Sequence, residues 1–141
     1  MKVLVTGANG LIGQHLIRQL VEEGKFTIHA TGKGISRLPY GTGNGVTYHA
    51  VDLTDFKKAQ ALVEKISPHI IIHTAAMSQP NDCAADKTAC WKTNVGATRV
   101  LVKGAQKAKS YFIYVSTDFV FDGTEGPYDE HASPNPINDY G

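Results

Sequence analysis

The chain has 141 residues, of which 42% are hydrophobic and 19% charged, and its formal net charge is +1. That length holds one domain with a proper core, and the composition excludes a disordered chain. Interspersed, nearly balanced charge leaves no field to draw the molecule to nucleic acid or an anionic membrane, so neither is expected as a partner.

The N-terminus enters a strand pattern at once, without the charged and apolar regions of a signal peptide. No apolar stretch approaches the roughly 20 residues of a membrane helix, and a cytoplasmic protein is expected. Five short β-rich runs follow along the chain, at residues 2–6, 27–31, 46–51, 70–74 and 111–115. Several are almost continuously apolar, which suits strands covered on both faces, as in a parallel sheet. After the first run, Leu11, Ile12, Leu16, Ile17, Leu20 and Val21 recur at helical spacing, and Gly24 sits where a C-terminal cap belongs. Residues 32–45 hold five glycines and a proline and read as a loop. Residues 55–66 predict a second helix, stopped before Pro68, and a longer one is predicted over 82–109 with Lys92, Arg99, Lys103 and Lys107 outside. Cys83 and Cys90 fall in this last helix, about 10 Å apart along its axis. That is too far for a disulfide, so reduced thiols are expected. Alternating strands and helices imply βαβ crossovers and an α/β doubly wound parallel sheet with helices on both faces.

The decisive segment is Gly7-Ala8-Asn9-Gly10-Leu11-Ile12-Gly13, which leaves the first strand and opens the first helix. Asn9-Gly10 alone is a hairpin signal, but helical periodicity follows it instead of a second strand. Gly7 allows the tight turn, Gly10 lets a pyrophosphate approach the backbone, and Gly13 lets the helix lie close to the sheet. The helix N-terminus then offers N–H groups and a partial positive charge to phosphates. The spacing is G-x-x-G-x-x-G, one residue wider than the common G-x-G-x-x-G. A Rossmann-type NAD(P) site is the reading, with Gly7, Asn9, Gly10, Leu11, Ile12 and Gly13 around the cofactor. The end of the second strand carries Thr31, Gly32 and Lys33, with Arg37 close behind, where NAD sites place a carboxylate. Lys33 and Arg37 would meet a 2′-phosphate, so NADP(H) is favoured over NAD(H).

Residues 6–13 resemble the extended short-chain dehydrogenase/reductase superfamily, and further matches follow in order. The resemblance implies that Asp52 and Leu53 contact the adenine, and that Thr74, Ala75 and Ala76 pass the ribose and nicotinamide side. It places Asn94 at the family's structural asparagine, with a part in catalysis and cofactor binding, and Ser116 beside the cofactor. The segment Val115-Ser116-Thr117-Asp118-Phe119-Val120-Phe121-Asp122-Gly123 resembles the dTDP-4-dehydrorhamnose reductase group, which reduces the C4 keto group of a nucleotide-linked deoxysugar. It is also similar in the regulatory β subunit of methionine adenosyltransferase, and nucleotide-sugar epimerases or dehydratases are the other alternative. By this resemblance Tyr140 is the catalytic acid and a cofactor contact, and Thr117 bonds the substrate oxygen. Met77, Asp118 and Phe119 join Thr117 around the nucleotide sugar. The family also implies a homodimer through the helix at 82–109.

The sequence ends one residue after Tyr140, before the lysine the family places four residues further on. A fragment is expected, of roughly half the family's length, which binds cofactor weakly and is inactive alone. The strand histidines His29, His49 and His73 are expected to be satisfied structural residues, and no metal site is expected, since no pair has ligand spacing.

Overall fold

Strand β1 (Lys2–Thr6) lies at the centre of a five-stranded sheet in the computed structural model, which describes residues 1–39 and 45–141. The other strands are β2 (Thr27–Gly32), β3 (Val46–Ala50), β4 (Ile70–His73) and β5 (Tyr111–Tyr114). Their order is β3-β2-β1-β4-β5 and every pairing is parallel. The chain therefore builds outward from β1 on one side, then returns to build β4 and β5 on the other. The crevice between the carboxyl ends of β1 and β4 is the switch point at which such sheets take ligands. Of the predicted loop at 32–45, residues 40–44 lie outside the described residues.

Alternation along β1 assigns its side chains to two cores. Val3 and Val5 pack with Ile28, Ala30 and Val46 against Ile17 of helix α1 (Leu11–Glu23). Leu4 and Ile71 face the opposite layer, with Leu62 and Val63 of α2 (Phe56–Ile66) and Leu101 and Ala105 of the last helix. Each such fully buried aliphatic side chain stabilises the fold by about 1.5–3 kcal/mol. The doubly wound arrangement follows from this two-sided burial. Helix α1 ends at Gly24 in the left-handed conformation, and α2 is opened by the Asp55 carboxylate, which accepts from the Lys58 amide.

Two expectations change. Leu11 and Ile12 share the helical period but are 76% and 55% exposed, because the first turn of α1 projects past the sheet into the switch-point crevice. Strand β5 is not covered on both faces. Phe112 packs on the α2 core, whereas Tyr111 and Ile113 on the other face are exposed, since α1 lies over β1 and β2; Tyr114, at the strand end beside His73, is also exposed.

The single helix predicted over 82–109 is several pieces. Helix α3 (Pro80–Ala85) ends at Asp86, whose φ of −136° and ψ of 82° leave the helical region. The Asp86 carboxylate then accepts from the Ala89 amide to open α4 (Lys87–Cys90). A π-helical stretch, Trp91–Ala97, leads into α5 (Thr98–Ala108). The corner at Asp86 overturns the expectation of reduced thiols: it brings the Cα atoms of Cys83 and Cys90 to 5.0 Å, and the two form a disulfide. The distance of about 10 Å holds only along one straight axis. With that pair oxidised, the cysteines no longer argue for a reducing compartment. Among the described residues no helix is long and apolar enough to cross a membrane.

Candidate functional site

A cavity of about 590 Å³ opens at the switch point, between the glycine turn, the end of β2, the segment after β3 and the segment after β4. It has the volume of a small-molecule site. Gly7 stands at its floor with φ of +68°, and a Cβ there would lie 2.7 Å from the Ala75 amide nitrogen. The turn and the β4 end are tied directly, since the Thr74 hydroxyl donates to the Thr6 carbonyl at 2.7 Å. Gly10 caps α1 and has no side-chain hydrogen bond to the helix amides. The first N–H groups of a helix have no intrahelical acceptor, so those of Leu11, Ile12 and Gly13 are left for a ligand. A diphosphate fits this cradle because no Cβ stands on Gly10, Gly13 lets the helix start close to the turn, and the helix dipole favours its charge.

The structure brings most predicted cofactor residues to this cavity. Gly7, Asn9, Gly10, Leu11, Ile12, Gly13, Lys33, Arg37, Asp52, Leu53, Thr74, Ala75 and Ala76 all line it. Its charged lining consists of Lys33, Arg37 and Asp52. Asp52 accepts from the Thr54 hydroxyl at 2.7 Å and the Thr54 amide at 2.9 Å, and its other oxygen meets Lys33 Nζ at 3.2 Å. The hydroxyl of Thr54, then its amide and Lys33, hold the carboxyl below its ordinary range. Asn9 lines the cavity, but its amide is engaged by the loop after β2, at Lys33, Ile35 and Arg37.

The predicted catalytic and substrate residues lie outside this cavity lining. Both functions of the Asn94 side chain go to the main chain of Met77, accepting from its amide at 2.8 Å and donating to its carbonyl at 3.0 Å. Asn94 thereby hangs the wall after β4 from the helical layer. The Thr117 hydroxyl donates to Asp118 Oδ1 and accepts from the Phe119 amide, capping a 3₁₀ turn (Asp118–Val120). Ser116 and Phe119 are exposed. Tyr140 is half-buried and meets the Phe119 ring edge-on at 5.7 Å between centroids. An ion pair of 3.0 Å between Lys87 and Asp139 joins the Tyr140 segment to α4.

Some site residues gave no signal in the sequence. Thr93 and Ser78 also line the cavity, and Tyr48 bonds the loop beside it. Beneath the cavity runs a buried chain of hydrogen bonds centred on His73. The Thr98 hydroxyl donates to the Asn94 carbonyl at 2.6 Å, so it accepts from His73 Nε2 at 2.8 Å. His73 Nδ1 is then the acceptor for the Thr6 hydroxyl at 2.6 Å, and Thr6 in turn accepts from the Ala75 amide. Strand alternation places His73 inward, but its partners are 67 and 25 residues away and no local pattern marks them. His29 and His49 stack at 5.3 Å on neighbouring strands and are half-buried. All three histidines have hydrogen-bond partners within the sheet and its neighbouring helix.

Burial pushes the His73 imidazole down to about 4 from the ordinary 6.5. The unfolded chain takes up a proton below pH 6.5 that the fold refuses until about pH 4, so stability is unaffected above that window. It falls through the window by about 3 kcal/mol as pH drops. Burial lowers His29 and His49 too, so they act in the same direction. Urea unfolding between pH 7.5 and pH 4 checks this; an unchanged midpoint down to pH 4.5 contradicts it.

Asp122 accepts from the Tyr128 hydroxyl, the Thr124 amide and Asn135 Nδ2, which organises the loop before Tyr140. Asp129, Glu130 and His131 are exposed on it, and among the described residues no three His, Cys, Asp or Glu side chains gather as metal ligands.

Known proteins are similar to this chain in sequence and fold. Methionine adenosyltransferase 2 subunit beta of Rattus norvegicus is 35% identical over 140 residues, which are 99% of this chain and 39% of that protein. The structure of a hypothetical dTDP-4-dehydrorhamnose reductase from Sulfolobus tokodaii matches with a TM-score of 0.87 and 36% identity, over 99% of this chain and 48% of that one. That of dTDP-4-dehydrorhamnose reductase from Bacillus anthracis, in complex with NADP, matches with a TM-score of 0.80 and 30% identity, over 99% and 45%. The chain thus spans less than half the length of each. Residues 1–141 also match the family profile described as the RmlD substrate binding domain. By that match along its full length, the chain belongs to the RmlD substrate binding domain family.

Proposed function

We propose that this chain is the coenzyme-binding part of an NAD(P)-dependent reductase that acts on the 4-keto group of a nucleotide-linked deoxysugar, with NADP(H) preferred. The observation that carries the reading is the uncapped start of α1 facing a cavity of about 590 Å³ at the switch point. A nicotinamide coenzyme supplies the hydride chemistry when bound. The amides of Leu11, Ile12 and Gly13 bind its diphosphate, and Lys33 and Arg37 attract a 2′-phosphate. Asp52 and Leu53 form the adenine side, while Thr74, Ala75 and Ala76 form the opposite wall. Thr117 donates a hydrogen bond to the keto oxygen and orients it. Tyr140 passes its phenolic proton to that oxygen as alkoxide charge develops. Met77, Asp118 and Phe119 shape the sugar side, and Asn94 keeps Met77 in place.

A second reading, a coenzyme-binding regulatory subunit without turnover, is favoured by the 35% identity to methionine adenosyltransferase 2 subunit beta. The protein with its complete chain separates the two. NADPH oxidation in the presence of a dTDP-4-keto-6-deoxysugar is the expected result. Saturable NADPH binding with no oxidation supports the regulatory subunit, and absence of binding overturns both.

A further inference from the structure

We infer that Tyr48 and Asn9 form a clasp that sets the preference for a coenzyme with a 2′-phosphorylated adenosine ribose; this rests on the dinucleotide reading above. Gly32 is the last residue of β2, where a carboxylate would otherwise hold the ribose hydroxyls. A Cβ at Gly32 would lie 2.9 Å from the Tyr48 hydroxyl oxygen and 3.1 Å from Asn9 Nδ2. No side chain fits there while the clasp is closed. A side chain at this position, acidic or not, would have to open the clasp.

The same two residues hold the chain that carries the cations. Asn9 Nδ2 donates to the Lys33 carbonyl at 3.1 Å and the Ile35 carbonyl at 2.9 Å, and lies 2.9 Å from the Tyr48 oxygen. The Tyr48 hydroxyl donates to the Gly34 carbonyl at 3.1 Å, and the Arg37 amide donates to Asn9 Oδ1 at 2.9 Å. Lys33, Gly34, Ile35 and Arg37 are thus fixed through their main chains, and the side chains of Lys33 and Arg37 border the cavity. Lys33 already answers Asp52 at 3.2 Å, whereas Arg37 makes no ion pair among the described residues. Arg37 is accordingly the group that touches the 2′-phosphate, and Tyr48 and Asn9 are positioning residues.

The test is titration of the complete protein with NADPH and with NADH, for wild type, Tyr48→Phe and Arg37→Gln. Phenylalanine keeps the Tyr48 ring packed on the α1 core and removes only the hydroxyl. Loss of that bond is expected to raise the NADPH Kd about five- to tenfold and to leave the NADH Kd within about twofold, a split that general destabilisation would not produce. Arg37→Gln, which breaks no ion pair among the described residues, is expected to narrow the NADPH-to-NADH ratio further and stands in if Tyr48→Phe does not fold. A wild-type preference for NADPH that neither variant changes overturns the inference and leaves the dinucleotide reading intact. Equal binding of the two coenzymes, or preference for NADH, overturns the inference and the NADP preference together. Binding of neither overturns the dinucleotide reading itself.

Discussion

Replacing Gly13 with alanine is expected to abolish tight coenzyme binding and to destabilise the fold. An added Cβ would lie 2.2 Å from the Gly7 carbonyl oxygen, 2.8 Å from its carbon and 2.9 Å from the Ala8 Cα. All three are main-chain atoms, so no side-chain rotation relieves the clash. Either α1 moves off the sheet, where Ile17 is fully buried, or the glycine turn opens. Overpacking of this kind costs about 1–3 kcal/mol, and more where the backbone is the obstacle. Either movement also displaces the amides that face the cavity, and the expected rise of about a hundredfold in the NADPH Kd corresponds to about 2.8 kcal/mol. Gly24→Ala is the control. It has a left-handed φ of 66° but nothing within 4 Å of an added Cβ, so only stability should fall, by about 1–2 kcal/mol. Thermal unfolding and NADPH titration measure the two effects, and wild-type affinity in Gly13→Ala would falsify the diphosphate grip.

Tyr140→Phe in the complete protein is expected to lower kcat by about 10²- to 10⁴-fold, the contribution of a positioned proton donor. The substitution preserves the edge-on contact with Phe119. It also preserves the main-chain bond from the Tyr140 amide to Asn138 Oδ1 and the Lys87–Asp139 ion pair. Only the hydroxyl is lost, so the coenzyme Kd should stay within about twofold while turnover falls, a loss confined to the transition state. Single-turnover oxidation of NADPH reads the chemical step alone. A rate constant close to wild type removes Tyr140 from the proton transfer.

The glycine turn at the mouth of the cavity was legible because its determinants are contiguous: a strand, three glycines at fixed spacing and a helical period. The sheet was legible because β1 and β4 carry the unbroken apolar runs Val3–Val5 and Ile70–Ile72, which lie largely out of solvent. What the sequence concealed depends on distant partners. Asn9 reads as part of the turn, yet its side chain reaches residues 24 to 39 positions away. His73 reads as a core histidine, but nothing local identifies Thr6 and Thr98 as its partners. Helical periodicity across 82–109 masked the corner at Asp86. The signals for it were present: Pro80 at the first position of one helix and an aspartate able to cap the next. Leu11 and Ile12 mislead for the opposite reason. They satisfy the apolar period but line the cavity and stay exposed instead of packing into the core.

The corner at Asp86 also bears on how the wall after β4 behaves mechanically. One residue closes α3 and opens α4, and the Cys83–Cys90 bond spans the angle like a gusset. The preceding segment is bolted to the same frame through Asn94 and Met77. That side of the cleft is a stiff plate whose shape precedes any guest, so docking against it incurs little entropic penalty for immobilising the chain.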